Sequence, residues 1–260
     1  MIEVSHEMII KCYSDFKTDL ESMAPEGKVE VYFAETSDLA LYYPLFNNWI
    51  SEGEKIRAEK FFSEIERETY ITCHGFLRLI LGGRLHLDPS KVSYARSAYN
   101  KPGLPGDPVF FNISHTKKAF AIGISENCPV GLDIEDMHRR VDITSISRTY
   151  FSRMESDYTM KPGTDQKERF FLVWTRKEAL LKAMGTGIVD DLNKIEVSGS
   201  ENTLDPGLFN KNYCHSQVNN HYVYSKKISG NMMSLAMPAN LLIDFTHIDS
   251  ENIKPMLVHF

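Results

Sequence analysis

The 260-residue chain carries the same order of predicted elements twice, and this repetition restricts its fold more than any other feature. Each half has a helical pattern, over about 54–85 and about 167–184, with apolar residues at helical spacing. Alternating runs typical of β-strands accompany both helices. These runs lie at 28–35, 109–114, 119–125, 129–135, 194–198, 221–228, 232–237 and 241–248.

A helix followed by antiparallel strands, occurring twice, predicts two α+β subdomains of similar design within one chain. The tetrad HTKK separates the first two strand runs after the first helix and predicts a hairpin there. We expect an N-terminal extension over 1–27, one subdomain over 28–140 and a second over 141–260. The two halves agree in pattern and not in residue identity.

The composition is that of a globular protein that needs no crosslinks to hold its core. Hydrophobic residues make up 42% of the chain and charged residues 25%, which is ordinary for a soluble protein. The net charge of −6 argues against a protein that coats nucleic acid. An apolar run of about 20 residues, the length of a membrane span, does not occur in the sequence. We therefore expect neither nucleic acid nor membrane as a partner.

The four cysteines are widely scattered and contain no CxxC pair; they are Cys12, Cys73, Cys128 and Cys214. This spacing favours free or buried thiols in a reducing compartment over a disulfide framework or a zinc site. The first residues show neither the basic start nor the apolar run of a signal peptide. Both observations predict a cytoplasmic protein.

One carboxylate lies within the apolar face of the second predicted helix, in the stretch FLVWTRKEALLKAMGTGI. Each residue of an ideal helix turns by about 100°, so Glu178 falls between Trp174 and Phe171. Burying a carboxylate is costly unless a partner offsets its charge. Lys182 stands in the favourable order for a helix ion pair, and a plain solvated pair is the alternative interpretation. Lys177 also projects into the apolar face, and the pattern offers no reason for it.

The sequence GLDIE provides a second pair of carboxylates. Successive strand residues face opposite sides, so Asp133 and Glu135 share one face while Leu132 and Ile134 share the other. Two neighbouring carboxylates repel each other, and a hard divalent ion would bind their oxygens well. A solvated acidic face on an edge strand is the alternative, and for an isolated D-x-E it is the more frequent case.

Basic and polar residues supply candidate anion contacts. Arg57, Lys60, Glu64 and Arg67 follow helical spacing, and Arg78 extends this stripe if the first helix is unbroken; a solvated surface is the alternative. Further candidates are Lys101 in the loop NKPGLP and the end of the strand FNISH, which supplies Ser114 and His115.

The combination of these residues indicates phosphoryl transfer, although each feature alone has an ordinary structural explanation. Three carboxylates suit a divalent metal, and several cations suit phosphates, in a reaction dominated by positioning and charge neutralisation. No G-x-S-x-G motif surrounds Ser114, which argues against a hydrolase. Neither a Walker A loop nor a kinase glycine-rich loop is present, which argues against an ordinary ATP or GTP enzyme.

Four motifs in this order closely resemble the 4′-phosphopantetheinyl transferases of the Sfp type. They are a K-P loop, F-N-[IL]-S-H, G-[IVL]-D-[IV]-E and F-x-x-x-W-[ST]-x-K-E-[AS]-x-x-K-x-x-G-x-G. The resemblance covers about residues 28–240 and is most specific over 100–135 and 170–188. Many relatives carry a further basic residue where this chain has about Thr69, and the nearest basic side chain, Arg67, lies two residues earlier.

The resemblance implies an α+β fold with two similar subdomains related by a pseudo-twofold axis. It implies transfer of the 4′-phosphopantetheine arm of coenzyme A to a serine of an apo acyl or peptidyl carrier protein, releasing adenosine 3′,5′-bisphosphate. Coenzyme A is then the co-substrate, and Mg²⁺ is the implied metal, with Mn²⁺ as the alternative. The implied site residues are Asp133, Glu135 and Glu178 for the metal, Glu178 and Lys182 for catalysis, and Arg57, Lys60, Lys101, Ser114 and His115 for coenzyme A.

The partners and the alternatives follow from this resemblance. We expect a monomer, because both subdomains lie in one chain, and carrier docking through a local basic or apolar patch near 161–167. A non-catalytic coenzyme A-binding protein is one alternative, and it would require a broken set of carboxylates. A metal-dependent phosphohydrolase acting on a nucleotide is another, and it would consume coenzyme A without a carrier.

Overall fold

A computed structural model describes residues 8–13, 27–96, 101–106, 108–185, 191–204, 220–258 and 260. The helices within these residues are α1 (Tyr43–Trp49), α2 (Glu52–Ala58), α3 (Glu64–Leu85), α4 (Ile143–Tyr150), α5 (Arg153–Met160), α6 (Gln166–Met184) and α7 (Lys254–Leu257). The strands are β1 (Met8–Tyr13), β2 (Lys28–Glu35), β3 (Ala95–Arg96), β4 (Pro102–Gly103), β5 (Phe110–His115), β6 (Ala119–Ser125), β7 (Gly131–Asp136), β8 (Glu201–Leu204), β9 (Asn220–Ile228), β10 (Asn231–Met237) and β11 (Leu242–His247). Short 3₁₀ helices cover Thr36–Tyr42, Pro89–Lys91 and Leu192–Lys194.

Two mixed sheets form the framework, together with a two-stranded sheet of β3 and β4. The first has the order β11-β2-β6-β5 and the second the order β7-β10-β9-β1-β8. In the first sheet, β6 is buried along its whole length, which explains why it reads as a continuous apolar run. Helix α3 contacts the first sheet, and α6 contacts the second through β7, β9 and β10.

The same unit is repeated in both sheets. In the first, β2 precedes α3 and pairs with β6, which pairs with β5. In the second, β7 precedes α6 and pairs with β10, which pairs with β9. Each unit is therefore strand, helix, strand, strand, with the first strand beside the last. This architecture confirms the predicted α+β class with two units of similar design.

The strand pairing shows that the chain passes from the first sheet to the second before β7, earlier than the sequence suggested. We expected the run at 129–135 to belong with the strands before it, but β7 pairs with β10 in the second sheet. The last strand, β11, returns to the first sheet and lies parallel to β2. Each sheet thus takes strands from both ends of the chain, and the division at residue 140 stays a prediction.

Part of the expected N-terminal extension belongs to the second sheet. Strand β1 lies between β9, to which it is parallel, and β8, to which it is antiparallel. Tyr13, at its end, stacks on Tyr224 with ring centroids 4.7 Å apart. Residues 8–13 therefore complete this sheet, while the rest of the extension lies outside the described residues, apart from Gly27.

Two predictions of local structure were wrong. The helix expected over 54–85 is broken, because Ser63 begins α3 by accepting a hydrogen bond from the Glu66 amide. The stripe of basic residues on one helix face is therefore not formed. The run at 194–198 forms a 3₁₀ turn and an irregular segment, because side chains bind its backbone in place of a neighbouring strand: Val197 N–H donates to Glu155 at 2.8 Å.

Other predictions are confirmed or lie outside the described residues. Helix α6 ends at Met184, and Gly185 follows it with a φ of 69°, a conformation that favours glycine. Three of the cysteines are buried free thiols, and Cys214 is not among the described residues. Within the described part of the chain, no helix combines the length and apolar character needed to span a bilayer.

Candidate active site

The candidate site lies where β7 of the second sheet meets α6 and the end of β5. Along β7, successive side chains point to opposite faces, as predicted. Leu132 and Ile134 lie in the hydrophobic core, while Asp133 and Glu135 contact polar partners. Asp133 is only 6% exposed. A carboxylate this buried needs partners to offset the loss of hydration.

Helix α6 lies unusually close to β7 at Gly131. A Cβ atom on Gly131 would lie 2.0 Å from the Ala179 carbonyl oxygen and 2.1 Å from the Ala183 nitrogen. A glycine at the start of β7 is therefore required for the helix backbone to approach the strand. This close contact brings Glu178 on α6 to the same side of β7 as Asp133.

Lys182 forms the central cation of the site. Its Nζ atom lies 2.7 Å from Asp133 Oδ1 and also donates to the Leu132 carbonyl at 3.1 Å and to Ser114 Oγ at 3.2 Å. The expected pair of Lys182 with Glu178 along the helix is not found among the described contacts. Lys182 instead reaches from α6 to β7 of the sheet that this helix contacts, and its contact with Ser114 links it to β5 of the first sheet.

Side chains of β5 bind the free edge of β7. Asn112 Oδ1 accepts the Leu132 amide at 2.8 Å, and Ser114 Oγ accepts the Ile134 amide at 3.3 Å. Ser114 also donates to Asp133 Oδ1 at 3.1 Å. Asn112 and Ser114 are two residues apart and share one face of β5, so that strand provides acceptors where a neighbouring strand backbone is missing. No role was predicted for Asn112, although its i, i+2 spacing to Ser114 indicates that both share one face of the strand.

Glu178 is half-buried, and its setting changes its acidity. Burial, together with the negative charges of Asp133 and Glu135, raises the pKa of the Glu178 carboxyl to about 7, while Lys182 opposes this shift. A carboxyl group with this pKa exchanges protons readily near neutral pH. Glu178 lies with Trp174 and Lys182 on the half-buried stripe of α6, beside its fully buried apolar face and not within it as the sequence predicted. Its partial burial is the main cause of the raised pKa.

Glu135 has two partners that the sequence analysis missed. Arg139 Nε lies 2.9 Å from Glu135 Oε2, and Trp174 Nε1 donates to Oε1 at 3.2 Å. Burial and the charge of Asp133 raise the pKa of Glu135, whereas Arg139 and Trp174 oppose that shift. The i, i+4 spacing of Glu135 and Arg139 is a signal that could have identified the pair.

Two residues predicted to contact coenzyme A lie beside this core of the site. Lys101 Nζ donates to the carbonyl oxygens of Val130 (3.1 Å) and Lys182 (2.6 Å), and burial lowers its pKa to about 8. His115 packs edge-on against the rings of Phe61 and Tyr70, whose centroids are both 6.3 Å from it. Burial lowers the pKa of the His115 imidazole, which favours its neutral form.

The two predicted basic residues of the first half are more distant. Arg57 lies in the last turn of α2 and Lys60 in the connection to α3, and both are exposed. The charge of Arg57 makes a small contribution to the lowered pKa of His115. Arg78, which would have continued the stripe, is 2% exposed and pairs with Glu54 at 2.8 Å. It therefore stabilises the first half and is not available for an anion.

The carboxylates of Asp133, Glu135 and Glu178 supply oxygen atoms that could bind a metal ion. Among the described residues, no three histidine, cysteine, aspartate or glutamate side chains are arranged to hold a metal directly. Lys182 and Arg139 occupy oxygens of Asp133 and Glu135. However, Asp133 Oδ2 is buried without a hydrogen-bond partner among the described residues, and every candidate ligand is an oxygen, as a hard cation requires. The donor set therefore fits a divalent cation once these side chains reorient.

Lys177, which the sequence left unexplained, forms a buried ion pair. Its Nζ atom lies 2.7 Å from Glu155 Oε2, and neither side chain is exposed to solvent. Lys177 thus points away from the cleft, towards α5, while the next residue, Glu178, faces β7. The two neighbouring residues, about 100° apart on the helix, therefore face different elements.

Comparison with known proteins finds relatives of the segment that contains most of these residues. Residues 129–226, which contain β7 and α6, match the family model described as the 4′-phosphopantetheinyl transferase superfamily. The 4′-phosphopantetheinyl transferase HetI of a Nostoc species is 32% identical over 155 residues, covering 57% of this chain. The segment that contains β7 and α6 is therefore similar to 4′-phosphopantetheinyl transferases. These matches confirm the resemblance seen in the four motifs.

Other relatives within the superfamily carry the same description. Sfp of Bacillus subtilis is 27% identical over 154 residues, which cover 58% of this chain and 67% of Sfp. AcpT of Salmonella typhimurium is 32% identical over 110 residues, which cover 40% of this chain and 57% of AcpT. The match covers 65% of the length of HetI. This chain therefore spans slightly less than two thirds of HetI and little more than half of AcpT.

Proposed function

We propose that this chain transfers the 4′-phosphopantetheine arm of coenzyme A to a serine of an apo acyl or peptidyl carrier protein. The observation that carries the proposal is the grouping of Asp133, Glu135, Glu178 and Lys182 at the junction of β7 and α6, in a segment that matches the model of a superfamily named for this transfer. The serine oxygen forms a bond to the phosphorus that bears the pantetheine arm. The pyrophosphate bond breaks, and adenosine 3′,5′-bisphosphate leaves.

Glu178 is proposed to take the proton of the carrier serine. A serine hydroxyl is a weak nucleophile and needs a base whose pKa lies near the working pH. In the metal-free protein, burial raises the pKa of the Glu178 carboxyl to about 7, and a bound cation would lower that pKa and keep the carboxylate ionised to accept the proton.

Lys182 is proposed to stabilise the charge that develops on the transferred phosphate. Its ammonium group is held at 2.7 Å by Asp133, so it is already positioned in the cleft before a substrate arrives. Preorganised charges of this kind need little reorganisation during the reaction. Binding of a cation to Asp133 would free the ammonium group to contact the phosphate.

Asp133, Glu135 and Glu178 are proposed to hold a divalent ion, Mg²⁺ with Mn²⁺ as the alternative. Such an ion, when bound, would neutralise pyrophosphate charge and polarise its oxygens. The unpartnered Asp133 Oδ2 and the raised pKa values of both glutamates support a cation here, because a positive charge would relieve both conditions.

Coenzyme A is proposed to bind along the rim of the cleft. Ser114 at the end of β5 contacts Lys182, and His115 follows it; with Arg57 on α2 they would give hydroxyl, imidazole and guanidinium donors for phosphates. Lys60 extends this basic rim from the connection after α2. Lys101 contacts two backbone carbonyls, so its assignment to a phosphate requires it to exchange one of them.

The carrier protein is proposed to dock near residues 161–167, beside α5 and α6. Lys161 is exposed there, and Met160 and Met154 are exposed by 39% and 70%. This combination of basic and apolar surface suits an acidic carrier on a chain whose overall charge is −6. Charge reversal at Lys161 and Lys167 should raise the KM for the carrier and leave the KM for coenzyme A unchanged. An unchanged carrier KM would overturn this docking site. A monomeric state and a cytoplasmic location remain predictions.

The function is tested by incubating the protein with coenzyme A, Mg²⁺ and a panel of apo carrier proteins, followed by mass spectrometry of the carriers. We expect one phosphopantetheine added per carrier serine, loss of the reaction after EDTA treatment, and recovery with Mg²⁺ or Mn²⁺. A carrier with its serine changed to alanine is the matched control. No added mass on any carrier would reject the proposal, and activity that survives chelation would reject the metal.

Two other functions remain as outcomes of that assay. A phosphohydrolase would consume coenzyme A in the absence of a carrier. A non-catalytic binding protein would bind coenzyme A without forming product. The presence of all three carboxylates and Lys182 in one cleft favours transfer over the non-catalytic role.

A further inference from the structure

The buried ion pair of Lys177 and Glu155 has no part in the chemistry described above. The Lys177 ammonium group donates to Glu155 Oε2, to the Leu192 carbonyl at 2.9 Å and to the Ile195 carbonyl. An ammonium group has three donors, and all three are used. Both side chains are fully buried.

Glu155 is bound as completely as its partner. Its Oε2 accepts the Ser152 amide at 2.8 Å, which caps the start of α5, and its Oε1 accepts the Val197 amide at 2.8 Å. The pair therefore joins α5, α6 and the irregular segment that follows the 3₁₀ helix at Leu192–Lys194. Helix α6 cannot shift or rotate without breaking the contacts of Lys177 to α5 and to the backbone at Leu192 and Ile195.

Stability alone gives a weak reason for such a pair. Moving two charges out of water is costly, and apolar residues of similar size often replace a buried ion pair without loss of stability. Directional bonds differ from apolar packing in that they permit one orientation of the helix. An apolar side chain in the same space would tolerate rotation of α6 by several degrees.

Such a rotation would move the residues of the site. Lys177 and Glu178 are separated by about 100° around the helix, so anchoring Lys177 towards α5 directs Glu178 towards β7. Trp174, three residues before Lys177, is placed by the same orientation, and its indole donates to Glu135 at 3.2 Å. A misplacement of about 1 Å in a catalytic group can cost on the order of 100-fold in rate.

We propose that Lys177, held by Glu155, is a positioning residue that sets the rotation of α6 and thereby aims Glu178 at the cleft. The kinetic test of this inference rests on the transfer reaction proposed above, whereas its NMR test does not.

The experiment compares the double variant Lys177→Met/Glu155→Gln with a control double variant on the same helix. The double variant removes both charges, so neither is left buried alone, and it is checked for folding by circular dichroism. The control is Glu168→Gln/Lys227→Met, which removes an exposed ion pair of 2.5 Å between the first turn of α6 and β9. If the test variant does not fold, Lys177→Arg, which keeps a cation facing Glu155 but changes the geometry of its donors, is used with the same readouts.

Two readouts distinguish positioning from stability. The first is the NMR resonance of the Trp174 indole N–H, with Trp49 in the first half as the internal reference, since the chain has two tryptophans. The second is kinetic, with kcat and KM measured separately for coenzyme A. We expect a shifted, faster-exchanging Trp174 indole and a fall in kcat of at least about tenfold, with KM changed by less than about threefold.

The control variant should leave both readouts as in the wild type. A folded test variant with an unchanged Trp174 resonance and wild-type kcat would overturn the proposal and leave the pair a purely structural feature. If the wild-type protein transfers nothing to any carrier, the proposed function fails, and the indole resonance alone decides whether the pair orients α6.

Discussion

Lys182 Nζ lies 2.7 Å from Asp133 Oδ1, so the lysine of α6 pairs with a strand carboxylate and not with Glu178 one turn before it. This choice of partner has two consequences. The pair connects helix and strand across the cleft, and Glu178 is left with a raised pKa that suits a base. A simple helix ion pair would have held Glu178 ionised and engaged.

Replacing Lys182 by methionine should reduce both stability and transfer. Asp133 would be left buried without its cation, at a cost of about 1–3 kcal/mol, less than for a fully buried pair because the Lys182 side chain is 30% exposed. The rate kcat should fall by about 100- to 1,000-fold, the range for loss of one charge-stabilising group. Urea unfolding and transfer kinetics measure the two effects. Lys194→Met, at an exposed i, i+3 pair, is the control and should change neither. A Lys182→Met enzyme with normal kcat would refute the assigned role.

Replacing Glu178 by glutamine should abolish transfer yet stabilise the metal-free protein at high pH. The folded-state pKa of about 7 lies above the ordinary value of 4.5, so the folded state retains a proton that the unfolded state has released between these values. Stability therefore falls as pH rises from about 4.5 to 7, and the ionised group destabilises the protein by at most about 3 kcal/mol above pH 7. Glutamine removes that penalty.

The measurement is urea unfolding of both proteins at pH 5 and pH 8 in the presence of a chelator. The stability gain of Glu178→Gln should appear at pH 8 and nearly vanish at pH 5, because the carboxyl is then protonated in the folded protein. Equal gains at both pH values would show that the charge of Glu178 is not the cause.

The motifs allowed most of the site to be predicted, because local strand and helix periodicity determines which residues share a face. The shared face of Asp133 and Glu135 on β7 follows from strand spacing, whereas Glu178, expected within the apolar face of α6, lies on its half-buried stripe. The strands β2, β5 and β9 were predictable from partial alternation, and β6 and β10 from short continuous apolar runs.

The rest depends on contacts between segments distant in sequence. The pairing of β7 with β10 could not be predicted, because the residues of GLDIE contain no information about which strand lies beside them. The segment at 194–198 has the composition of a strand, but Glu155 and Lys177 bind its backbone groups. Lys177 looked misplaced for the same reason, since its partner lies 22 residues earlier on another helix. The break before α3 was within reach, because Ser63 and Glu66 resemble a helix start.

Replacing Asn112 by alanine should destabilise the junction of β5 and β7. The Leu132 amide would lose its acceptor while remaining buried, at a cost of about 1–3 kcal/mol. Asn112→Asp keeps an acceptor oxygen and should recover part of that loss. Asn127→Ala is the control, because Asn127 also accepts a backbone amide, from Lys28, but at an exposed position. Thermal unfolding measures all three, and equal shifts for the two alanine variants would contradict the proposed contribution of the β7 edge.

Replacing Gly131 by alanine should separate α6 from β7 and so impair the site through the backbone. The added methyl group would lie 2.0 Å from the Ala179 carbonyl oxygen and 2.1 Å from the Ala183 nitrogen, which are both main-chain atoms and cannot rotate away. We expect a loss of roughly 3 kcal/mol, with a larger loss of kcat than stability alone explains, because Glu178 and Lys182 would move away from Asp133. Gly83→Ala in α3 is the matched control, since no atom lies within 4 Å of its added carbon, and it should stabilise the helix by about 0.5–1 kcal/mol. Urea unfolding and kinetics at a temperature where both variants remain folded would separate the effects. A Gly131→Ala variant as stable and as active as the wild type would show that the close approach of strand and helix is not needed to assemble this site.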